Sequence, residues 1–241
     1  MEINQIEKHS ILQSVGLHLL PGILVGGGYF LALQPVAQMG YPSFFALLLA
    51  FTFILIPVEL GFLLVQGKRK NGYFTLQGMI SYQNSIPWWQ YFIWVSVIFV
   101  IVGAIMTLFE PVDAFLQMNL FFWMPDMDLG LDGNYSRTVL IVTYSMALLI
   151  NVFLAPIVEE LYFRGYLLPR MKGKFTLLIH SFLFASIHVF TPWMIIARTI
   201  GFIPIILGTT KKNLYVGMLV HIFCNATGFI SGVLNIAKMM E

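Results

Sequence analysis

Three short segments of the 241-residue chain carry polar side chains inside otherwise apolar sequence, and their residue types could do chemistry. The first segment holds Glu159, Glu160 and Arg164. Because Glu160 and Arg164 are four residues apart, a helix would put them on one face, where they can pair. Glu159 is rotated from that face by about 100°. We therefore expect one carboxylate held by arginine and one free for chemistry.

The other two segments supply imidazole and amide groups. His188 follows Phe184 by four residues, and Asn225 follows His221 by one helical turn. A single histidine in a membrane helix is most often a hydrogen-bonded helix contact. Counted from the nearest basic loop at about 1.5 Å per residue, however, Glu159 lies roughly 18 Å deep, His188 about 21 Å and Asn225 about 20 Å. Three helices therefore bring these groups to one layer, which favours a site.

The groups in this layer are suited to activating water. A glutamate beside an imidazole can take a proton from water, and imidazole with amide N–H groups can stabilise an oxyanion. This set would hydrolyse an amide bond without a covalent intermediate. The same groups could instead bind a divalent metal such as zinc, with His188, His221 and Glu159 as candidate ligands. The residues alone leave both mechanisms open.

Together, the three motifs resemble those of the CAAX protease and bacteriocin-processing family, also called the Abi family. The resemblance covers about residues 138–230, with all three motifs in order on separate predicted helices. It implies a multi-helix intramembrane endopeptidase with Glu159 as the water-activating base, aided by His188. His221 and Asn225 would stabilise the oxyanion, while Glu160 and Arg164 would orient the site.

Composition indicates the kind of scaffold that holds these groups. The chain is 59% hydrophobic, only 10% charged, and has a mean hydropathy of +0.84. Soluble domains carry about 25% charged residues, so an ordinary soluble enzyme and a nucleic-acid-binding protein are excluded. We predict an all-α, polytopic transmembrane bundle of about seven to eight helices. The predicted partners are the lipid bilayer and a membrane-embedded or lipidated peptide or protein substrate.

Seven apolar runs define the predicted helices, and the whole chain is expected to form a single membrane domain with a catalytic core at about 138–230. The segment 115–124 is apolar but short, so we expect it to be a separate interfacial or re-entrant piece. Basic loops after the second, fourth and sixth runs predict one cytoplasmic side. If the host is prokaryotic, the predicted location is its plasma membrane. The runs cover residues 15–36, 43–66, 91–109, 138–158, 175–190, 193–208 and 214–236.

Other functions also fit part of the pattern. A CAAX-type substrate and a bacteriocin or pheromone peptide are both compatible with the chain, as is a non-catalytic immunity or binding protein. A proton-coupled transporter would use buried carboxylates too, but often shows repeated halves, and we find none.

Several other polar residues lie inside the apolar runs, and the sequence assigns them to no catalytic motif. Glu59 is interpreted as a structural polar contact, with a position in the lining of the substrate cavity as the alternative. Arg198 is a candidate partner for a carboxylate or a substrate terminus. His18 and His180 have no recognisable partner, and are interpreted as ordinary.

Overall fold

A computed structural model describes residues 6–124, 129–131 and 133–239, with side chains described up to residue 234. The described residues form seven helices and no strand, which confirms the all-α prediction. The helices are α1 (Ile11–Gln38), α2 (Ser43–Asn71), α3 (Trp88–Asn119), α4 (Arg137–Arg170), α5 (Thr176–Ser186), α6 (Pro192–Lys211) and α7 (Leu214–Met239).

Six of the seven helices are long and apolar enough to cross a membrane, so the protein is a multi-pass integral membrane protein. The exception is α5, whose 11 residues extend only about 16 Å. The fifth apolar run was therefore predicted too long, because residues 187–190 lie beyond the end of the helix. The turn that follows α5 contains His188, whose backbone carbonyl accepts from the N–H of Thr191 at 3.1 Å.

The prediction for residues 115–124 was also wrong. Helix α3 continues through Pro111 and ends at Asn119, so the first half of this segment extends the third membrane helix. A proline can be accommodated in a membrane helix because local adjustments satisfy the freed backbone groups. Asp113 thus lies within α3, and is buried.

Helices α2 and α4 are not regular along their length. Both contain π-helical turns, at Phe51–Leu55 in α2 and at Ala147–Leu154 and Glu160–Leu167 in α4. Such turns are rare and occur often at functional sites. In each helix a proline follows directly after the first π segment: Pro57 in α2 and Pro156 in α4.

The hydrophobic core surrounds the middle of α4. Phe163 is fully buried and packs against Phe184 of α5, with 4.7 Å between the ring centroids. Leu63 of α2 and Leu214 of α7 complete the same cluster, and both are fully buried. Helix α4 is therefore surrounded by α2, α5 and α7, the helices on which its polar side chains must find partners.

Candidate active site

Glu160 and Arg164 form the buried ion pair that their spacing predicts. Oε1 of Glu160 lies 2.6 Å from a terminal guanidinium nitrogen of Arg164, and both side chains are fully buried. The guanidinium carbon lies 4.0 Å from the centroid of the Phe184 ring, a cation–π contact. Arg164 is thus fixed by a carboxylate on its own helix and an aromatic ring of α5.

His221 lies between the two consecutive glutamates. Its Nδ1 is 3.0 Å from Oε1 of Glu160, and its Nε2 is 3.6 Å from Oε2 of Glu159. Oε1 of Glu160 accepts a hydrogen bond from Arg164, and the geometry fits a second one, donated to the same oxygen by Nδ1–H of His221. Helix α7 therefore presents the opposite edge of the imidazole to Glu159.

Glu159 and His188 meet at one cavity of about 180 Å³. Nδ1 of His188 lies 3.1 Å from the backbone carbonyl of Phe184 and donates to it, so Nε2 is left as an acceptor. The rest of the lining is almost entirely apolar and comes from α1, α2 and the turn after α5: Gly22, Val25, Leu47, Phe51, Leu55, Ile187, Phe190 and Thr191.

Asn225 has a backbone partner that its sequence motif does not reveal. Its side-chain nitrogen donates to the carbonyl of Asn151 at 2.8 Å. In the π-helical register of α4, each N–H bonds the carbonyl five residues earlier, as Ala155 does with Ile150. The next residue is Pro156, which has no N–H for Asn151. Asn225 supplies the missing donor and retains a second amide hydrogen.

The three candidate metal ligands do not form a ligand set. Within the described part of the chain, no three His, Cys, Asp or Glu side chains are grouped closely enough to hold a metal ion. Glu159 and His221 are neighbours, but His188 reaches Glu159 only across the cavity. The side chains present therefore do not match the tetrahedral zinc site that their residue types would allow.

Several of the sequence interpretations outside the motifs were wrong or incomplete. His18 and His180, which were expected to have no partner, hydrogen-bond each other at 2.9 Å between Nε2 and Nδ1, and both are fully buried. Arg198 donates to the carbonyl of Thr191 at 3.0 Å, and thus holds the turn that bears His188. The bond between His18 and His180 joins residues 162 positions apart, so no local pattern could reveal it.

Glu59 also differs from its interpretation as a structural polar contact. Its side chain is fully buried, and neither carboxyl oxygen has a hydrogen-bond partner within the described residues. A structural contact would have provided such a partner. The signal available in the sequence was the charge itself, because an ionisable group in a membrane helix marks a functional site by default.

A comparison of the sequence with models of known protein families supports the grouping of these side chains into one site. Residues 141–227 match the model described as type II CAAX prenyl endopeptidase Rce1-like. The matched segment belongs to the CAAX protease family. It contains all six motif residues and covers about a third of the chain. No curated protein and no solved structure matches the chain significantly.

The match to this family model has two consequences. It supports a CAAX protease-type enzyme, and it implies a membrane-embedded substrate and a lipid bilayer as partners. Helices α1, α2 and α3 lie outside the matched residues, although α1 and α2 line the cavity at Glu159.

Proposed function

We propose that the protein is an intramembrane endopeptidase that hydrolyses a peptide bond of a membrane-embedded or lipidated substrate. The observation that carries the proposal is the position of Glu159. Its Oε2 lies 3.6 Å from Nε2 of His221, and the residue lines the apolar cavity. A carboxylate at the wall of such a cavity can act on a peptide carbonyl bound there. The Glu160–Arg164 pair and Phe184 hold this arrangement in place.

In the proposed reaction, Glu159 takes a proton from a water molecule whose oxygen attacks the peptide carbonyl. Nε2 of His188 accepts the other hydrogen of this water and orients it. The tetrahedral intermediate then collapses, the C–N bond breaks, and Glu159 returns its proton to the departing amine. One water molecule is consumed, and the products are a carboxylic acid and an amine, which become a carboxylate and an ammonium group when the proton passes from one to the other.

Two groups of α7 stabilise the oxyanion in this mechanism. The free amide hydrogen of Asn225 donates to it, and so does Nε2 of His221 when the imidazole is doubly protonated. Glu160, which accepts from Nδ1 of His221 at 3.0 Å, fixes the orientation of this imidazole. Loss of one such donor typically lowers kcat by about 10²–10³.

The nature of the cavity supports an apolar substrate segment. It is lined by Val25, Leu47 and Phe51, and Glu159 is the only charged side chain among the described residues of its lining. An apolar residue beside the scissile bond would fill the cavity and keep other water from Glu159. CAAX-type prenylated proteins and bacteriocin-like or pheromone-like peptides both present such segments.

The proposal is tested by comparing peptide termini in host membranes. Membranes with wild-type protein are compared with membranes that contain equal amounts of Glu159→Gln, and Glu110→Gln serves as control because that glutamate is exposed on α3. We expect new amino termini with wild type and Glu110→Gln only. A wild-type sample with chelator reports whether hydrolysis needs a metal.

Two results would contradict the proposal. Identical termini in all samples with an unchanged cellular phenotype in Glu159→Gln would indicate a binding or immunity protein instead. New termini that persist in Glu159→Gln would remove this residue as the base.

A further inference from the structure

Glu59 is a third carboxyl group beside the two motif glutamates, on a helix that the family match does not include. It lies at the end of the first turn after Pro57 in α2. Its side chain is fully buried, with both oxygens unpartnered among the described residues. A buried carboxylate without a partner is strongly destabilising, so its environment must explain why it is retained.

The packing of α2 on α4 places Glu59 next to the site. The Phe62 ring lies 5.6 Å from the Tyr162 ring and 5.4 Å from the Tyr166 ring, centroid to centroid. One turn earlier on each helix are Glu59 and Glu159, since the two helices run in the same direction. The turn before Glu59 ends at Leu55, which lines the same cavity as Glu159.

The charges that act on Glu59 are those of the site itself. They belong to Glu159 and Arg164. The hydroxyl of Tyr162, on the same face of α4, is already used because it donates to the carbonyl of Leu17 at 2.9 Å. No hydroxyl or amide on that face therefore satisfies Glu59, and its neighbours are a carboxylate and an arginine.

The number of charged groups around Glu59 limits whether its carboxyl group can be ionised. Arg164 supplies one positive charge and is bound to Glu160 at 2.6 Å. Glu159 and Glu59 then remain as two carboxyl groups that share the environment of one cation. Two neighbouring carboxylates in a low-dielectric site cannot both be ionised, so one of them keeps a proton. Glu159 contacts His221, whereas Glu59 has no basic side chain bonded to it, so the proton belongs on Glu59.

We propose that Glu59 is a positioning residue of the active site, protonated at neutral pH, and that it donates its proton in a hydrogen bond to Glu159. One oxygen of Glu159 is held by this bond, which leaves the other free to face His221 and the attacking water. The inference rests on the proposed hydrolysis, because it assigns the orientation of the proposed base.

Three variants of Glu59 separate this role from a structural one. Glu59→Gln keeps size and hydrogen-bond donor, so we expect kcat within about threefold of wild type. Glu59→Leu removes the donor, so we expect kcat to fall about 10–100-fold with an unchanged KM, as for other groups that orient a functional ligand. Gln66→Leu, a polar-to-apolar change two turns along the same helix, is the control and should retain kcat.

A spectroscopic measurement tests the protonation independently of activity. Infrared difference spectra of the purified protein at neutral pH compare wild type with Glu59→Gln. We expect loss of a protonated-carboxyl C=O stretch, and loss of an ionised-carboxylate band instead would overturn the proposal. Wild-type kcat in Glu59→Leu, or equal loss of kcat in Glu59→Gln and Glu59→Leu, would also overturn it. If no hydrolysis is found at all, the infrared result still decides the state of Glu59, while the proposed function fails separately.

Discussion

Nδ1 of His221 lies 3.0 Å from Oε1 of Glu160, the same oxygen that Arg164 holds at 2.6 Å. One carboxylate therefore joins helix α7 to the middle of α4 and orients an imidazole whose other nitrogen faces Glu159. The arrangement separates two adjacent glutamates by role. Oε1 of Glu160 is bound by both Arg164 and His221, whereas Glu159 lines the cavity.

Breaking the buried ion pair should destabilise the fold. In Arg164→Met, Glu160 would lose its guanidinium partner while remaining buried, which typically costs about 3–5 kcal/mol. We expect a clear fall in the thermal unfolding temperature of the protein in detergent. The double variant Glu160→Gln/Arg164→Met removes both charges and should recover much of that stability. If the single and double variants unfold alike, the pair does not behave as a coupled unit.

Loss of the bond between Asn225 and the carbonyl of Asn151 should also lower stability. Because Pro156 cannot supply the missing N–H, Asn225→Leu leaves a partly buried acceptor unsatisfied, at a cost of up to about 1–3 kcal/mol. Thermal unfolding measures the loss, and Thr227→Val is the matched control because its hydroxyl only bonds the carbonyl of Phe223 on its own helix. Equal stability of Asn225→Leu and wild type would show that α4 satisfies Asn151 in another way.

A methyl group at Gly22 should disturb the turn that contains His188. A Cβ built at Gly22 would lie 2.8 Å from the backbone oxygen of Ile187, whereas at Gly16 of the same helix it would meet no atom within 4 Å. We therefore expect Gly22→Ala to lower kcat/KM about 10-fold or more, through displacement of His188 from Glu159. Gly16→Ala should be neutral. Equal activity of the two variants would mean that this turn shifts freely.

The imidazole pair between α1 and α5 should contribute to stability. His18 donates from Nδ1 to the carbonyl of Ser14 at 2.7 Å, so its Nε2 accepts from Nδ1 of His180. His180→Leu would leave that acceptor buried without its donor, at about 1–3 kcal/mol. The double variant His18→Leu/His180→Leu should be no less stable than either single variant. Strictly additive losses would argue against a direct bond.

The sequence predicted the helical fold and the local pairs of the site, but not the contacts between distant helices. Glu160 and Arg164 were predicted correctly because a four-residue spacing fixes a shared helix face. The partner of Asn225 depends on a π-helical register and on Pro156, two features 69 or more residues away in the chain. The length of α5 was overestimated because hydropathy does not distinguish a short helix and an apolar turn from one span.

The roles assigned to Glu159, His188, His221 and Asn225 remain predictions, although the structure brings their helices together. Nothing in the local sequence of Glu59 relates it to Glu159, one hundred residues later, so its place beside the site could not be predicted. The two carboxyl groups come to one level only because helices α2 and α4 pack side by side in the same direction, with Phe62 against Tyr162 and Tyr166. A single sequence contains no local pattern from which such long-range packing can be predicted.

The central claim, hydrolysis with Glu159 as the base, is tested most directly with purified protein in liposomes. Wild type, Glu159→Gln and the exposed-site control Glu110→Gln are each incubated with a mixture of prenylated CAAX-type peptides and unlipidated transmembrane peptides. Mass spectrometry then measures the new amino termini over time. We predict that wild type and Glu110→Gln release the same products, and that Glu159→Gln is slower by about 10²–10⁴. Cleavage by Glu159→Gln at the wild-type rate would contradict the account.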